Sequence, residues 1–494
     1  MKPRTVFFTL LILAGMLSLP AFAGARPATG LGCGPNGNQF DLEPLVNSPF
    51  DGQSWESVGF IPGRGLDGAD LVVGAAWDVR ILNPVLIYDG FPLPAYYVQR
   101  DNSNCVADFE GGAPVLKTDY PATSGPPRVA ADPAHDAFFM TFPVIQASDA
   151  YAITILKSTS ANLLNGTNCP NGTQGSSDLT CWPVQVDANS LPLNDAYLLP
   201  AIAVDQRTQG TGAGDVYVAA EIYQPYQIAL MACTNSTLNC SSTVVVSAKD
   251  KLPTDPWVQV RPDGGITISY ATFKFEFATR EEMDEIKFVN CTPQGAPKPP
   301  TCSAPTVVTK ATLAGIPYPW HVDRLEADGK TVTNFLVYDG CAVETFHSRA
   351  LGTLCSKQQT VIGSSTDGGN TWSSFQPISP GATGQQFLGD IALDASTGTV
   401  NVAYFSTQND PLQFRTQLFL AQIPPGQTTV GSINQITSTL FNGPASYYYG
   451  IAAAGTGTKG QSHVYIHYVG TTNNGSYNGQ AFPVYANTLT QFDY

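Results

Sequence analysis

Charge is scarce in this chain: only 13% of its 494 residues are Asp, Glu, Lys or Arg. Histidine is rarer still, with 5 in all, and no two of the 10 cysteines form a C-x-x-C pair. No sustained apolar period of 3.6 residues runs anywhere, which argues against a helical bundle or coiled coil. The best helical candidate, "TREEMDEI" at 279–286, is short and reads as a loop turn. G-x-S-x-G, H-E-x-x-H and P-loop patterns are absent, so the commonest hydrolase, metalloprotease and nucleotide signatures do not apply. With spaced cysteines and few histidines, neither a metal nor any other cofactor is expected. Lys and Arg (24) are outnumbered by Asp and Glu (39), giving a net charge of −15. A chain this acidic is repelled by nucleic acid and anionic membranes, and neither is expected as a partner. Beyond the N-terminus no apolar stretch is long enough for membrane insertion.

The N-terminus is different. Lys2 and Arg4 precede an apolar run from Val6 to Leu19, and Ala21-Phe22-Ala23 supplies a small-residue cleavage signal. This pattern reads as a secretory signal peptide over 1–23, with the mature chain starting near Gly24. The protein is therefore expected to be secreted, extracellular or periplasmic, and monomeric. In an oxidising compartment an even number of cysteines reads as disulfides. Neighbours in sequence suggest Cys33 with Cys105, Cys169 with Cys181, Cys233 with Cys240, Cys291 with Cys302, and Cys341 with Cys355.

Glycine (46) and proline (38) are plentiful, as many short strands joined by turns require. Seven segments repeat one pattern: an alternating strand, a turn rich in Asp, Pro and Gly, and a second alternating strand. With Val58, Val129, Ile202, Val258, Val322, Ile391 and Ile451 as register marks, the intervals are 71, 73, 56, 64, 69 and 60 residues. Each unit has room for two more strands; in the second these are "AYAITILKST" and "CWPVQVD". A unit of four short antiparallel strands is a propeller blade, and blades bury their faces by stacking around a ring. The expected fold is all-β: a single β-propeller over 55–494, seven-bladed, or six-bladed if the irregular first mark is dropped. Residues 24–54 form an N-terminal extension, tied to the first blade through Cys33 and Cys105.

One turn carries a recognisable motif. Between "QTVIGSS" and "TWSSFQPIS" stand Ser365, Asp367, Gly369, Thr371 and Trp372, spaced S-x-D-x-G-x-T-W. This resembles the Asp-box (BNR repeat) of sialidase-like β-propellers. The chemistry of the box is structural: Asp367 can accept turn N–H groups, Gly369 can take positive φ, Thr371 can bond back, and Trp372 can anchor the strands. The resemblance places the box away from the ligand end. Cys233/Cys240 and Cys291/Cys302 fall at the equivalent turns of the third and fourth units, Cys169/Cys181 in the second, and Trp182 falls where Trp372 does. N-x-S/T sites at Asn165, Asn171, Asn235, Asn239, Asn290 and Asn474 fit exposed outer turns.

The resemblance raises the question of catalysis. Sialidases clamp a carboxylate with three arginines and use a Tyr nucleophile, its activating Glu and an Asp acid-base. Their F-R-I-P signature is met here only by "DVRILNP" around Arg80, without the Phe and with Leu82 in place of Pro. Arg128, Arg261, Arg324 and Arg415 are further candidates, and Tyr447, Tyr448 and Tyr449 form a cluster without a nearby Glu. Asp132, Asp205, Asp263 and Asp394 sit in hairpin turns, where Asp serves the backbone. His463 and His467 share one strand face. Tyr-rich "PAYYVQ" and "ASYYYG" could stack on sugars or pack between blades. The expected function is extracellular binding or scaffolding, with a glycan or protein at the channel mouth; the alternative is an exo-acting, sialidase-like glycoside hydrolase. Converging arginines with a Tyr–Glu pair would favour the enzyme, a neutral lining the binder.

Overall fold

The computed structural model describes residues 38–41, 53–78, 93–99, 109–112, 122–165, 181–275, 282–311, 318–348, 352–437, 450–455, 462–477 and 480–493, apart from short breaks. The described residues form seven antiparallel sheets of four or five strands each. Setting aside the two-residue strand Ala122–Thr123 of sheet 2, the first strands of sheets 1 to 7 are Gln53–Ile61, Arg128–Asp132, Ala196–Val204, Pro253–Val260, Trp320–Leu325, Gln386–Asp394 and Gly450–Gly455. Each of the seven register marks falls on one of these strands.

In sheets 1, 3, 5 and 6 the strands follow in sequence order, each pairing with the next. In sheet 2 Ala122–Thr123 and Arg128–Asp132 both pair with Ala137–Ile145, and in sheet 4 the third strand, Glu282–Thr292, pairs with both Thr301–Cys302 and Thr306–Ala311. Sheet 7 closes differently. Its fourth strand is Asn38–Asp41, which pairs with the last strand of the chain, Gln480–Asp493. The earliest and the latest of the described strands are thus held in one sheet. The expected Cys33–Cys105 tie lies outside the described residues, as do the leader at 1–23, Arg80 and Tyr447–449.

Second strands are buried on both faces, which explains their continuous apolar character. "AFFMTFPVI" (Ala137–Ile145) has eight of nine residues buried. A strand of this kind needs cover on each side, and the neighbouring sheets supply it. Leu71 and Val73 of sheet 1 pack with Phe138 and Met140 of sheet 2. Phe139 of sheet 2 packs with Val216 and Val218 of sheet 3. Ala219 and Leu230 of sheet 3 meet Ile266 and Ile268 of sheet 4. Phe288 of sheet 4 meets Leu336 of sheet 5. Sheets 5, 6 and 7 share one cluster through Phe335, Val402 and Ile466. Sheet 7 then meets sheet 1: Phe60 lies edge-on to Tyr465 at 4.7 Å.

First strands also touch sheet to sheet, and small residues allow the approach. A Cβ at Gly389 of sheet 6 would come within 2.3 Å of Thr360 of sheet 5. The one described α-helix, Ser160–Asn165, was not expected. Thr159 caps it, its hydroxyl accepting from Asn162 N–H at 3.3 Å. "TREEMDEI" is not a turn throughout: from Glu282 it begins the third strand of sheet 4.

Candidate functional site

An antiparallel sheet sends its turns alternately to two ends. The first–second and third–fourth turns lie at one end. The second–third turns, and the points where first strands begin, lie at the other.

The Asp-box belongs to the first of these ends. It follows Gly352–Ser365 and precedes Gln376–Pro377, the third and fourth strands of sheet 5. Asp367 accepts N–H from Asn370 at 3.1 Å and Thr371 at 2.9 Å, and the Thr371 hydroxyl at 2.7 Å. These donors hold its carboxyl down at about 2. Gly369 has φ +84° and gives its N–H to Ser365 Oγ at 2.9 Å. Trp372 meets Phe288 of sheet 4 edge-on at 5.4 Å. Sheet 4 also grips the box directly: Asn290 Nδ2 donates to Gly368 O at 2.8 Å, and Thr306 Oγ1 to Gly369 O at 3.1 Å. The box is therefore a clamp between sheets.

Disulfides close the matching turns of sheets 3 and 4, Cys233–Cys240 and Cys291–Cys302. Cys181 and Cys341 are also disulfide-bonded. The side chains of Cys33, Cys105, Cys169 and Cys355 are outside the described residues. Trp182 is buried and meets Tyr96 of sheet 1 edge-on at 5.5 Å, so that tyrosine packs between sheets.

The turn aspartates serve the backbone. Asp132 accepts from Ala134 and His135, Asp205 from Arg207, Asp263 from Gly265, and Asp394 from Ser396. Two candidate arginines end here too: Arg261 pairs with Asp263 at 2.8 Å and Arg324 with Glu326 at 2.8 Å. Arg207, not singled out from the sequence, pairs with Asp205 at 2.6 Å. Two sequons are not open surface: the Asn290 amide is used on Gly368, and the Asn235 amide donates to Asp132 while accepting from Lys157. Asn239 is exposed.

The second end carries a different chemistry. First strands of sheets 3, 4 and 6 enter through bulges, at Leu198/Ala201, Thr254/Trp257 and Phe387/Asp390. Left-handed residues sit in them: Leu199 (φ 43°), Asp255 (φ 52°) and Leu388 (φ 56°). Such φ values on residues with side chains are strained and persist only where surroundings enforce them. The bulges re-aim side chains. Trp257 of sheet 4 and Trp320 of sheet 5 come together at 5.1 Å. The Arg128 guanidinium of sheet 2 lies 5.7 Å and 5.4 Å from the two rings. Its charge also acts on Asp390 of sheet 6, a buried carboxyl whose desolvation pushes it well above the usual range. Residues from four sheets thus converge here.

Beside them, at the edge, lies a second group. The turn between Val216–Tyr223 and Gln227–Cys233 holds Tyr223 and Tyr226, half-buried and edge-on at 4.9 Å. Next to it Glu221 accepts the Thr254 hydroxyl at 2.7 Å and the Asp255 N–H. Burial pushes the Glu221 carboxyl up to about 7, and the Asp255 charge adds to the rise. The tyrosines had no repeat or motif to flag them. Asp255 and Glu221 read as ordinary strand residues because sequence does not show which strands adjoin.

Three arginines do not converge among the described residues. Of the described residues, Arg128 and Arg415 stand at this end, and Arg415 is taken by Asp410 at 3.0 Å. His463 likewise pairs with Asp70 at 2.7 Å. No cluster of His, Cys, Asp and Glu suited to a metal occurs among the described residues, and no described helix is long and apolar enough to cross a membrane.

No family model matches the chain, and no curated protein matches it. Solved structures do. A polysaccharide lyase, an ulvan lyase, aligns at 9% identity over 90% of this chain and 94% of its own, with TM-score 0.45. A Hadza microbial sialidase aligns at 11% identity over 86% of this chain and 76% of its own, with TM-score 0.43. A Dyadobacter fermentans protein of unknown function aligns at 8% identity over 92% and 98%, with TM-score 0.42. At these TM-scores the likenesses carry no argument about what this chain does.

Proposed function

We propose that the protein is an exported, monomeric, seven-bladed β-propeller that binds a neutral glycan at the end of its channel where the first strands begin. The blade reading is supported by the run of contacts from sheet 1 to sheet 7 and back to sheet 1, and by the pairing of Asn38–Asp41 with the last described strand. The ligand reading rests on one observation: the half-buried Tyr223–Tyr226 pair stands beside the Glu221–Thr254–Asp255 group. Aromatic faces suit the C–H faces of a pyranose, and carboxyl and hydroxyl groups suit its hydroxyls. Among the described residues the guanidinium groups at this end each face an acid, Arg128 near Asp390 and Arg415 on Asp410. Those residues offer an anionic sugar no open clamp, which favours binding over sialidase-like hydrolysis.

A glycan array and a panel of fluorogenic glycosides, run on protein with its disulfides intact, test the reading. Array binding by neutral glycans that falls at least tenfold in Tyr226→Ala, with no glycoside turnover, is the expected result. Turnover of any glycoside, or binding untouched by Tyr226→Ala, refutes it.

A further inference from the structure

A chain of four polar side chains runs between sheets 4 and 5 with almost no access to solvent. Thr267 and Ser269 stand on Ile266–Phe275, the second strand of sheet 4. His321 and Asp323 stand on the first strand of sheet 5, and all four are at most 5% exposed. His321 Nδ1 is 2.7 Å from Ser269 Oγ, and its Nε2 is 2.8 Å from Thr267 Oγ1. Thr267 Oγ1 in turn is 2.6 Å from Asp323 Oδ2. The other carboxyl oxygen accepts from the Asn334 amide.

Counting protons leaves two distributions, and desolvation chooses between them. Ser269 has one hydroxyl proton, and its Oγ also contacts the Pro319 carbonyl, which can only accept. That proton goes to Pro319, so His321 must donate to Ser269 from Nδ1. A neutral imidazole then has a bare Nε2, which the Thr267 hydroxyl fills. The proton of Thr267 is now used, so Asp323 must supply the one between them. The Gln259 carbonyl is 3.5 Å from Thr267 Oγ1, beyond O–H···O range, and does not compete. A neutral His321 and a protonated Asp323 satisfy every contact and leave no charge in the seam. An imidazolium and a carboxylate would hold as many protons but place two charges where desolvation opposes them. Burial acts in the same direction, raising the Asp323 carboxyl and lowering His321 to about 3.

The surroundings add little charge. Arg261 draws the Asp323 carboxyl down and Asp263 pushes it up. Phe288 packs edge-on against the imidazole at 5.1 Å. Trp257 Nε1 donates to the His321 carbonyl at 3.1 Å, and Trp320 is the preceding residue.

We propose that this seam is a one-proton interlock that positions the Trp257–Trp320 pair, closed while Asp323 holds its proton and loosened when the proton leaves. On ionisation the carboxylate takes back the Thr267 hydroxyl. His321 Nε2 is then left buried, its lone pair facing an oxygen lone pair, and the cost of an unpaired buried polar group loosens the strand that bears Trp320. The carboxyl is raised in the folded state, so its stabilisation is full at low pH and is lost as pH climbs through that raised value.

Asp323→Asn tests this, because an amide N–H can donate to Thr267 where the acid O–H does. As pH is raised from 4 to 10, the melting temperature of the wild type is expected to fall by several degrees relative to Asp323→Asn. Tryptophan emission should shift red over the same range in the wild type alone. A constant gap in melting temperature overturns the proposal. Should the variant not fold, histidine-¹⁵N-labelled wild type decides: one imidazole is expected to stay neutral, protonated at Nδ1 only, without titrating between pH 5 and 8. Titration of all five imidazoles, or a buried imidazolium at pH 7, overturns it.

Discussion

Glu221→Gln isolates the electrostatic cost of the candidate site. Glu221 is 7% exposed, and it accepts from Thr254 at 2.7 Å across the junction of sheets 3 and 4. Its rise from 4.5 to about 7 corresponds to roughly 3 kcal/mol of preference for the protonated form. Because the folded value is the higher one, the unfolded chain releases the proton first. Stability is therefore full below about 4.5, declines as pH climbs toward 7, and stays reduced above it. Glutamine keeps the shape and an acceptor for Thr254 but never ionises. The variant should match the wild type near pH 4.5 and exceed it by roughly 3 kcal/mol at pH 8.5. With an unfolding entropy of about 2.1 cal/mol/K per residue, that gap is roughly 3 °C in melting temperature for a chain of this length. Scanning calorimetry on both proteins between pH 4.5 and 8.5 measures it, since every other titrating group cancels in the difference. A gap that does not open between pH 5 and 7.5, or a variant less stable at pH 8.5, refutes the account of Glu221.

Other perturbations follow from the same contacts. Asp70 accepts from His463, Tyr465 and Gly63 where sheets 1 and 7 meet; Asp70→Ala should cost about 2–4 kcal/mol in urea titration, because it removes one buried acceptor from three donors at once. An unchanged urea midpoint would show that this junction does not depend on Asp70. Replacing Cys233 and Cys240 by Ser together should cost about 2–3 kcal/mol, the loop-closure value for so short a loop. Asp367→Ala should lower the melting temperature and shift Trp372 emission to the red. Its carboxyl is held down at about 2, so the stabilisation it gives in the wild type is present above about 4 and should fade only as pH falls toward 2.

The repeat was legible because it is local. Alternating strands, Asp- and Gly-bearing turns and the Ser365–Trp372 box depend on neighbours in sequence, and each register mark fell on a first strand. The disulfides at Cys233–Cys240 and Cys291–Cys302 were legible for the same reason. The pairing of Asn38–Asp41 with the last strand was not, because four residues of strand carry no mark of a partner 450 positions away. Nor was the Arg128–Trp257–Trp320–Asp390 group, which four different sheets contribute. Arg261 and Arg324, candidates from sequence, were used at the hairpin end instead.

By itself the sequence determined that short strands form and where they turn, since backbone preference and alternation act over a few residues. Only the tertiary structure decided which side chains lose water together. Glu221 and His321 look ordinary in the sequence; their carboxyl and imidazole are shifted because Thr254, Asp255 and Ser269 approach from a neighbouring sheet and shut solvent out. Distance through space, not along the chain, sets their chemistry.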